Sequence, residues 1–183
     1  MDLLLLTADP NPESVLPSLS LLAHTVRTAP TEVSSLMEAG NADVALVDVT
    51  ADGIETVAGE IAEIGSKSTT FVADVSDRDQ VFAAVDHTAS ALGGLDIMVN
   101  NAGIGTLAGK LADKKASDMA RLFEVNVLGA YLGAREAVRR MSRARGGPGG
   151  SIVNMSSAAV RLGVPNEGVD YAGSKAIMDT LTI

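Results

Sequence analysis

The sequence predicts an α/β fold in which helices cover both faces of one doubly wound parallel sheet. Short apolar runs of strand length alternate along the chain with longer segments that repeat apolar residues at helical spacing. Parallel strands need such a crossover segment between them, and the alternation continues through all 183 residues. No linker is long enough to divide the chain. We therefore expect a single three-layer domain over residues 1–183.

The first part of the chain, up to residue 50, has the pattern of three strands and two helices. Turn residues at 9–11 precede the first helix, and Gly40 ends the second. The third apolar run delivers Asp48 at its carboxyl end. The predicted strands cover residues 3–7, 24–28 and 42–47, and the predicted helices cover residues 12–22 and 31–39.

The remainder of the chain repeats this order. Gly65 ends the first helix, Ser76 is the expected N-cap of the second, and the glycine-rich segment 146–150 leads into the last strand. A further helix begins near Tyr171. The predicted helices cover residues 51–64, 76–92 and about 115–143, and the predicted strands cover residues 69–73, 95–99 and 152–155.

Charge and composition exclude several classes of partner. The net charge of −9 argues against nucleic acid or an anionic membrane, because phosphate binding needs a basic surface. The chain has no cysteine, and its two histidines, His24 and His87, show no ligand spacing, so no metal site is predicted. The apolar run at 3–6 is too short for a signal peptide or a membrane span. We expect a cytoplasmic protein.

Tyr171 and Lys175 are the first candidates for chemistry. Residues four apart on a helix share one face, so the ammonium can lie beside the phenol and favour its ionised form. Such a phenol can exchange a proton with an alcohol or a carbonyl oxygen. Ser157, fourteen residues before Tyr171 at a strand exit, can hydrogen-bond the same oxygen. The alternative is a half-exposed aromatic side chain beside a solvated lysine.

Two further features stand out near predicted strands and helices. Asn101, Ala102 and Gly103 follow a buried strand, and small residues there let the backbone approach a ligand closely. A turn with no ligand is the alternative. Asn126 interrupts the apolar stripe of the long helix, where a polar side chain needs a partner. It could also be a buried amide satisfied by a carbonyl.

Over about residues 40–183 these motifs resemble the short-chain dehydrogenase/reductase family, whose cofactor strand ends in Asn-Asn-Ala-Gly and whose active site is an Asn-Ser-Tyr-Lys tetrad. The resemblance implies a Rossmann-like fold and hydride transfer between NAD(H) and a small alcohol or carbonyl substrate. It assigns Tyr171 the proton exchange and Lys175 the support of the phenolate and the nicotinamide ribose. Ser157 would polarise the carbonyl, and Asn126 would hold a water of the proton relay.

The resemblance also implies the cofactor contacts. Asp48 would accept hydrogen bonds from the adenosine ribose and repel a 2′-phosphate, which favours NAD over NADP. Asp74 and Val75 would contact the adenine, and residues 101–103 would pass beside the cofactor together with Tyr171 and Lys175. A solvated aspartate at the end of a strand and an Asx turn before a helix are the alternatives for Asp48 and Asp74.

The two ends of the chain depart from the family pattern. The family binds the pyrophosphate with a Thr-Gly-x-x-x-Gly-x-Gly turn, whereas this chain has no glycine before Gly40. Residues 1–40 are therefore a divergent part in which NAD binding is expected to be weak or lost. Residues 1–49 instead resemble the first half of an atypical response-regulator receiver domain, with Asp48 as the acceptor position. The chain ends at Ile183, so the last strand of the family is expected to be missing.

Two functional hypotheses follow. In the first, the chain is an NAD-dependent oxidoreductase of the short-chain type. In the second, it is a non-catalytic remnant or association module with a receiver-like N-terminus. Because the family pairs its subunits through the long helix and the tyrosine-bearing helix, the resemblance implies a homo-oligomer.

Overall fold

The computed structural model describes residues 3–5, 26–28, 42–63, 65–105, 109–162 and 168–182. The strands are β1 (Leu3–Leu5), β2 (Val26–Thr28), β3 (Val44–Asp48), β4 (Ser68–Val72), β5 (Ile97–Asn100) and β6 (Ser151–Asn154). The helices are α1 (Ala51–Glu63), α2 (Arg78–Leu92), α3 (Ala116–Phe123), α4 (Gly129–Met141), α5 (Ala159–Leu162) and α6 (Val169–Leu181). The helices predicted over 12–22 and 31–39 lie outside the described residues.

All pairing between the described strands is parallel, as the alternation of strands and helices predicts. The pairs are β1 with β2, β3 with β4 and β5 with β6. They form three two-stranded sheets rather than one continuous sheet. Among the described strands, none hydrogen-bonds to the second edge of β3 or of β5, so helix packing joins these two pairs. Helix α2 contacts both β3 and β4 and also packs against α4, which covers β5.

The core lies where these helices meet the strands. Helices α2 and α4 can approach closely because the buried side of α4 consists largely of small residues. The exposed apolar side chains Val72 and Ile97 lie on the strands, so the helices do not fully cover the sheet faces. The buried apolar side chains include Ile54, Ile61, Val81, Val85, Leu122, Val125, Ala137, Met141 and Met178.

Two glycines place α4 directly against the strand exits. A Cβ atom at Gly129 would lie 2.8 Å from Cγ2 of Val75, and one at Gly133 would collide with Oδ1 of Asn100. Asn100 in turn donates from Nδ2 to Oδ1 of Asn154 at 2.7 Å. Side chains larger than hydrogen at these two positions would push the helix away from the carboxyl ends of β4 and β5.

Two details of the predicted helices are wrong. The long helix predicted over 115–143 is divided by a π-helical turn over Glu124–Leu128, which separates α3 from α4. The N-cap of α2 is Asp77, not Ser76, because Asp77 accepts hydrogen bonds from the amides of Asp79 and Gln80. The Ser76 hydroxyl instead donates to Oδ1 of Asp74. Within the part of the chain that the structure describes, no helix is long and apolar enough to cross a membrane.

Candidate active site

Lys175 is the best-anchored of the predicted site residues. It lies on α6 with only 6% of its surface exposed, and its Nζ donates to the carbonyl of Met155 at 2.9 Å. The Ser156 hydroxyl donates to the carbonyl of Lys175 at 3.2 Å. These two bonds tie α6 to the chain that leaves β6. Burial lowers the pKa of the Lys175 ammonium, because desolvation disfavours its charged form.

Asn126 links the loop after β5 to the same helix. It lies in the π-helical turn and is 1% exposed. Its Oδ1 accepts from the amide of Ile104 at 2.7 Å, and its Nδ2 donates to the carbonyl of Ile104 at 2.9 Å and to Oγ of Ser174 at 3.0 Å. A single buried amide thus holds three partners from two separate segments. π-Helical turns inside helices often occur at functional sites.

Gly103 completes this cluster. A Cβ atom at this position would lie 3.2 Å from Nζ of Lys175 and 3.3 Å from Oδ1 of Asn126. Three residues singled out from separate parts of the sequence, Gly103, Asn126 and Lys175, therefore meet at one place. A side chain at position 103 would displace the ammonium, so the glycine keeps this approach open.

Among the described residues, the side chains of Tyr171 and Ser157 form no hydrogen bond with this cluster. Tyr171 lies one turn before Lys175 on α6 and is half-buried, and its carbonyl accepts from Oγ of Ser174 at 2.7 Å. Oγ of Ser157 accepts from the amide of Ala159 at 3.2 Å. Among the described residues, the Tyr171 hydroxyl forms no hydrogen bond. That the phenol and this serine converge on one substrate oxygen stays a prediction.

Asp74 is held by neighbours that the sequence pattern did not identify. Its Oδ1 accepts from the amide and the hydroxyl of Ser76 at 2.9 and 2.7 Å, and its Oδ2 accepts from Nη2 of Arg121 at 2.7 Å. The hydrogen bonds from Ser76, followed by the guanidinium of Arg121, hold the pKa of Asp74 below its ordinary value. Both carboxylate oxygens are thus engaged, while Val75 packs at Gly129.

Asp48 lies at the carboxyl end of β3 and is exposed. Its Oδ1 accepts from the amide and the hydroxyl of Thr50 at 2.9 and 3.0 Å. Within the described segments its Oδ2 accepts no hydrogen bond, so one oxygen is available to a ligand. Asn101 and Ala102 are also exposed, at the end of β5.

Sequence reasoning missed three contributors to this region: Ser156, Ser174 and Arg121. Ser174 lies between Tyr171 and Lys175, and its spacing of three from Tyr171 was a usable signal. Arg121 and Asp74 are 47 residues apart, and no local pattern relates them.

The lowered pKa of Lys175 gives a testable pH dependence of stability. Between that lowered pKa and the ordinary value of 10.5, the unfolded chain binds more protons than the folded protein. The free energy of unfolding of the wild type should therefore rise with pH across this window, relative to that of Lys175→Met. Urea unfolding at a series of alkaline pH values measures the difference. Lys67→Met, which removes an exposed lysine, is the control and should follow the wild type.

Comparison with known proteins relates most of the chain to one family. Residues 31–183 match the family described as short chain dehydrogenase. The uncharacterized oxidoreductase YgfF of Escherichia coli K12 is 46% identical over 125 residues, which are 67% of this chain and 49% of that protein. A 2,5-dichloro-2,5-cyclohexadiene-1,4-diol dehydrogenase of Sphingobium indicum is 35% identical over 147 residues, 80% of this chain and 56% of that protein.

A solved structure shows the same α/β fold. The crystal structure of NAD+-bound xylitol dehydrogenase is 30% identical and superimposes with a TM-score of 0.71, covering 76% of this chain and 52% of that chain. The predicted α/β class is thereby confirmed. The chain spans about half the length of the relatives that it matches.

Proposed function

Because the chain belongs to the short-chain dehydrogenase family, we propose that it is an oxidoreductase that transfers hydride between NAD(H) and a small alcohol or carbonyl substrate. The observation that carries the proposal is the meeting of Gly103, Asn126 and Lys175, since it brings residues from both motifs of the family, the Asn-Asn-Ala-Gly strand end and the tetrad, to one place. The names of two similar proteins, a cyclic diol dehydrogenase and xylitol dehydrogenase, support an alcohol substrate.

The described residues fit one end of such a cofactor. The backbone at 101–105 is exposed beside a buried ammonium, and a Cβ at Gly103 would fill the space next to it. A ribose diol needs hydrogen-bond donors of this kind, and Lys175 and the backbone beside Gly103 would supply them. Asp48, with one free carboxylate oxygen, would hold the adenosine ribose, and Asp74 with Val75 would border the adenine.

The nicotinamide supplies a hydride acceptor or donor when NAD is bound. The chain's own residues handle the proton. Tyr171 gives a proton to the substrate oxygen or takes one from it, and the Lys175 ammonium one turn away favours the phenolate. The Ser157 hydroxyl orients the same oxygen by donating a hydrogen bond. Asn126 bonds both the loop after β5 and the middle of α6, and so fixes their positions relative to each other.

The carboxylate of Asp48 is expected to determine the preference for NAD over NADP. Replacing Asp48 with Asn should improve NADPH binding relative to NADH binding by about tenfold or more, equivalent to ~1.4 kcal/mol, because it removes the repulsion of the 2′-phosphate. Fluorescence titration with both reduced cofactors gives the ratio of the two Kd values. Asp43→Asn, a change at an exposed aspartate just before β3, is the matched control and should leave the ratio unchanged.

The proposed function is tested by turnover. The chain has no glycine before Gly40, so affinity for NAD is expected to be weak, and the assay needs millimolar NAD with a panel of small secondary alcohols and diols. NADH formation with any of them supports the proposal. If millimolar NAD and the corresponding carbonyl panel with NADH both give no turnover, the proposal is wrong for this chain. NADH binding at micromolar concentration would contradict the expected weak affinity.

A second candidate function, association through α4 and α6, is favoured by one surface. A groove of about 810 Å³ lies beside β6 and combines apolar and cationic side chains, including Tyr131, Arg135, Val138, Arg139, Ile152 and Leu181. Tyr131 and Val138 are exposed although they are large and apolar. We propose that two copies of the chain pair here, and light scattering after size-exclusion chromatography tests it. A monomer at all concentrations would contradict the pairing.

A further inference from the structure

Lys114 and Asp170 form a buried ion pair next to the tyrosine of the proposed site. Lys114 follows a 3-10 turn over Leu111–Asp113, and its Nζ lies 2.8 Å from Oδ1 of Asp170. The two side chains are only 8% and 2% exposed. Asp170 is in the first turn of α6 and directly precedes Tyr171. The pair thus joins the segment after β5 to the turn that carries the phenol.

The first turn of α6 needs such a tether. Its N-cap residue is Gly168, which has a φ of 63° and no side chain to accept the free amides of the turn. A first turn that its own N-cap residue does not cap tends to fray, which would let Tyr171 move relative to Lys175. A carboxylate in this turn also interacts favourably with the positive end of the helix dipole.

Among the described residues, the other side-chain hydrogen bonds that tie α6 to the rest of the fold lie further along the helix. Asn126 bonds Ser174, and Lys175 is tied to Met155 and Ser156. These anchors come after Tyr171, whereas Lys114 acts before it, so the phenol lies between two fixed points. A buried ion pair is costly to desolvate, so its net contribution to stability is small, and in some proteins such a pair instead fixes one geometry.

We propose that Lys114 is a positioning residue for Tyr171: its buried ion pair with Asp170 fixes the first turn of α6 and so holds the phenol one turn from Lys175. The catalytic meaning of this position rests on the proposed function, but the position itself is measurable without cofactor or substrate.

The chain offers a direct probe of Tyr171. It contains two tyrosines and no tryptophan, so in a Tyr131→Phe background all tyrosine fluorescence comes from Tyr171. Acrylamide quenching of this fluorescence reports how well the phenol is shielded. In that background, Lys114→Met should raise the quenching constant clearly above that of the parent, and Lys114→Arg should restore the parent value.

A second ion pair with a buried carboxylate provides the matched control. On α4, Arg140 bonds the 3%-exposed Glu136 at 3.0 Å, and it also lies 3.4 Å from Asp86 on α2, so the described partners of this pair are on helices other than α6. Arg140→Met should lower stability while leaving the quenching of Tyr171 unchanged. If it changes the quenching as much as Lys114→Met does, the effect is general loosening and the inference is wrong.

Further results bear on whether Lys114 positions Tyr171. Unchanged quenching in folded Lys114→Met overturns the inference. If Lys114→Met does not fold, Lys114→Gln replaces it as the test, because glutamine removes the charge but keeps a hydrogen-bond donor. The quenching constant of Lys114→Gln must then lie above that of the parent. Where turnover is found, Lys114→Met should lower kcat on the order of 10²-fold, as a displacement of about 1 Å does, with little change in the KM for NAD. Raised quenching without turnover in any variant supports the positioning role and counts against the proposed function alone.

Discussion

Tyr171→Phe is expected to lower kcat by about 10²–10⁴-fold, the range that a positioned general acid or base contributes. The change removes only the hydroxyl, and that hydroxyl forms no hydrogen bond among the described residues, so stability should hardly change. The contacts of Lys175 with Met155 and Ser156 also remain, so the affinity for NADH should fall far less than kcat. Initial rates of NADH formation at millimolar NAD give the ratio of kcat values.

Tyr131→Phe is the matched control for this prediction. Tyr131 is exposed on α4 and is the other tyrosine of the chain, so the same chemical change is made outside the proposed site. It should retain the turnover of the wild type. Equal turnover in wild type and Tyr171→Phe would show that the phenol does not exchange the proton, and the assignment of Lys175 as its support would fail with it.

Asn126→Ala is expected to lower the free energy of unfolding by about 2–3 kcal/mol. The substitution removes the partners of the Ile104 amide and carbonyl and of Oγ of Ser174 at once. It also opens a gap inside the π-helical turn. Chemical denaturation measured at equilibrium should show an earlier midpoint with an unchanged slope. Turnover should fall as well, because the loop at Gly103 loses its anchor to α6.

Asn154→Ala separates this effect from the general cost of losing an asparagine. Asn154 is half-buried and bonds the side chains of Asn100 and Thr182, and the site contacts described above do not involve it. Its loss should cost about 1–2 kcal/mol, because it removes two hydrogen bonds that each contribute ~1 kcal/mol net, and the bond to Thr182 is exposed to solvent. If Asn126→Ala costs no more than Asn154→Ala, Asn126 does not have the anchoring role derived from its contacts.

Periodicity and strand exits predicted much of this structure. The strand predicted over 42–47 is observed at Val44–Asp48, and the one predicted over 152–155 at Ser151–Asn154. Tyr171 and Lys175 share a helix, as their spacing indicates. These features depend on local sequence, where hydrophobic spacing and turn residues are sufficient.

Features that depend on distant contacts could not be predicted in this way. The π-helical turn at Glu124–Leu128 leaves the apolar spacing of the long helix nearly unchanged. Ser76 and Asp77 are both good N-caps, and Ser76 is drawn away by Asp74 and Arg121. The Lys114–Asp170 pair joins residues 56 apart, and a lysine in a polar segment reads as a solvated charge. The receiver-like interpretation of residues 1–49 stays a prediction.

The division of the strands into three pairs is a further difference from the predicted sheet. The connection rules predict parallel neighbours, and β3 with β4 and β5 with β6 obey them. The alternating pattern of strands and helices does not specify which strand pairs with the second edge of β3 or of β5. That choice depends on backbone hydrogen bonds between segments distant in the sequence.

The most direct test of the proposed site is an NADH titration followed by the backbone amide resonances of the protein. Weak binding suits this measurement, because ligand exchange then moves peaks in proportion to occupancy. If the proposed site binds the cofactor, the resonances of Gly103, Ile104 and Lys175 should shift progressively, and those of the groove beside β6 should shift less. Shifts confined to that groove, with Gly103 and Lys175 unmoved at millimolar NADH, would contradict it.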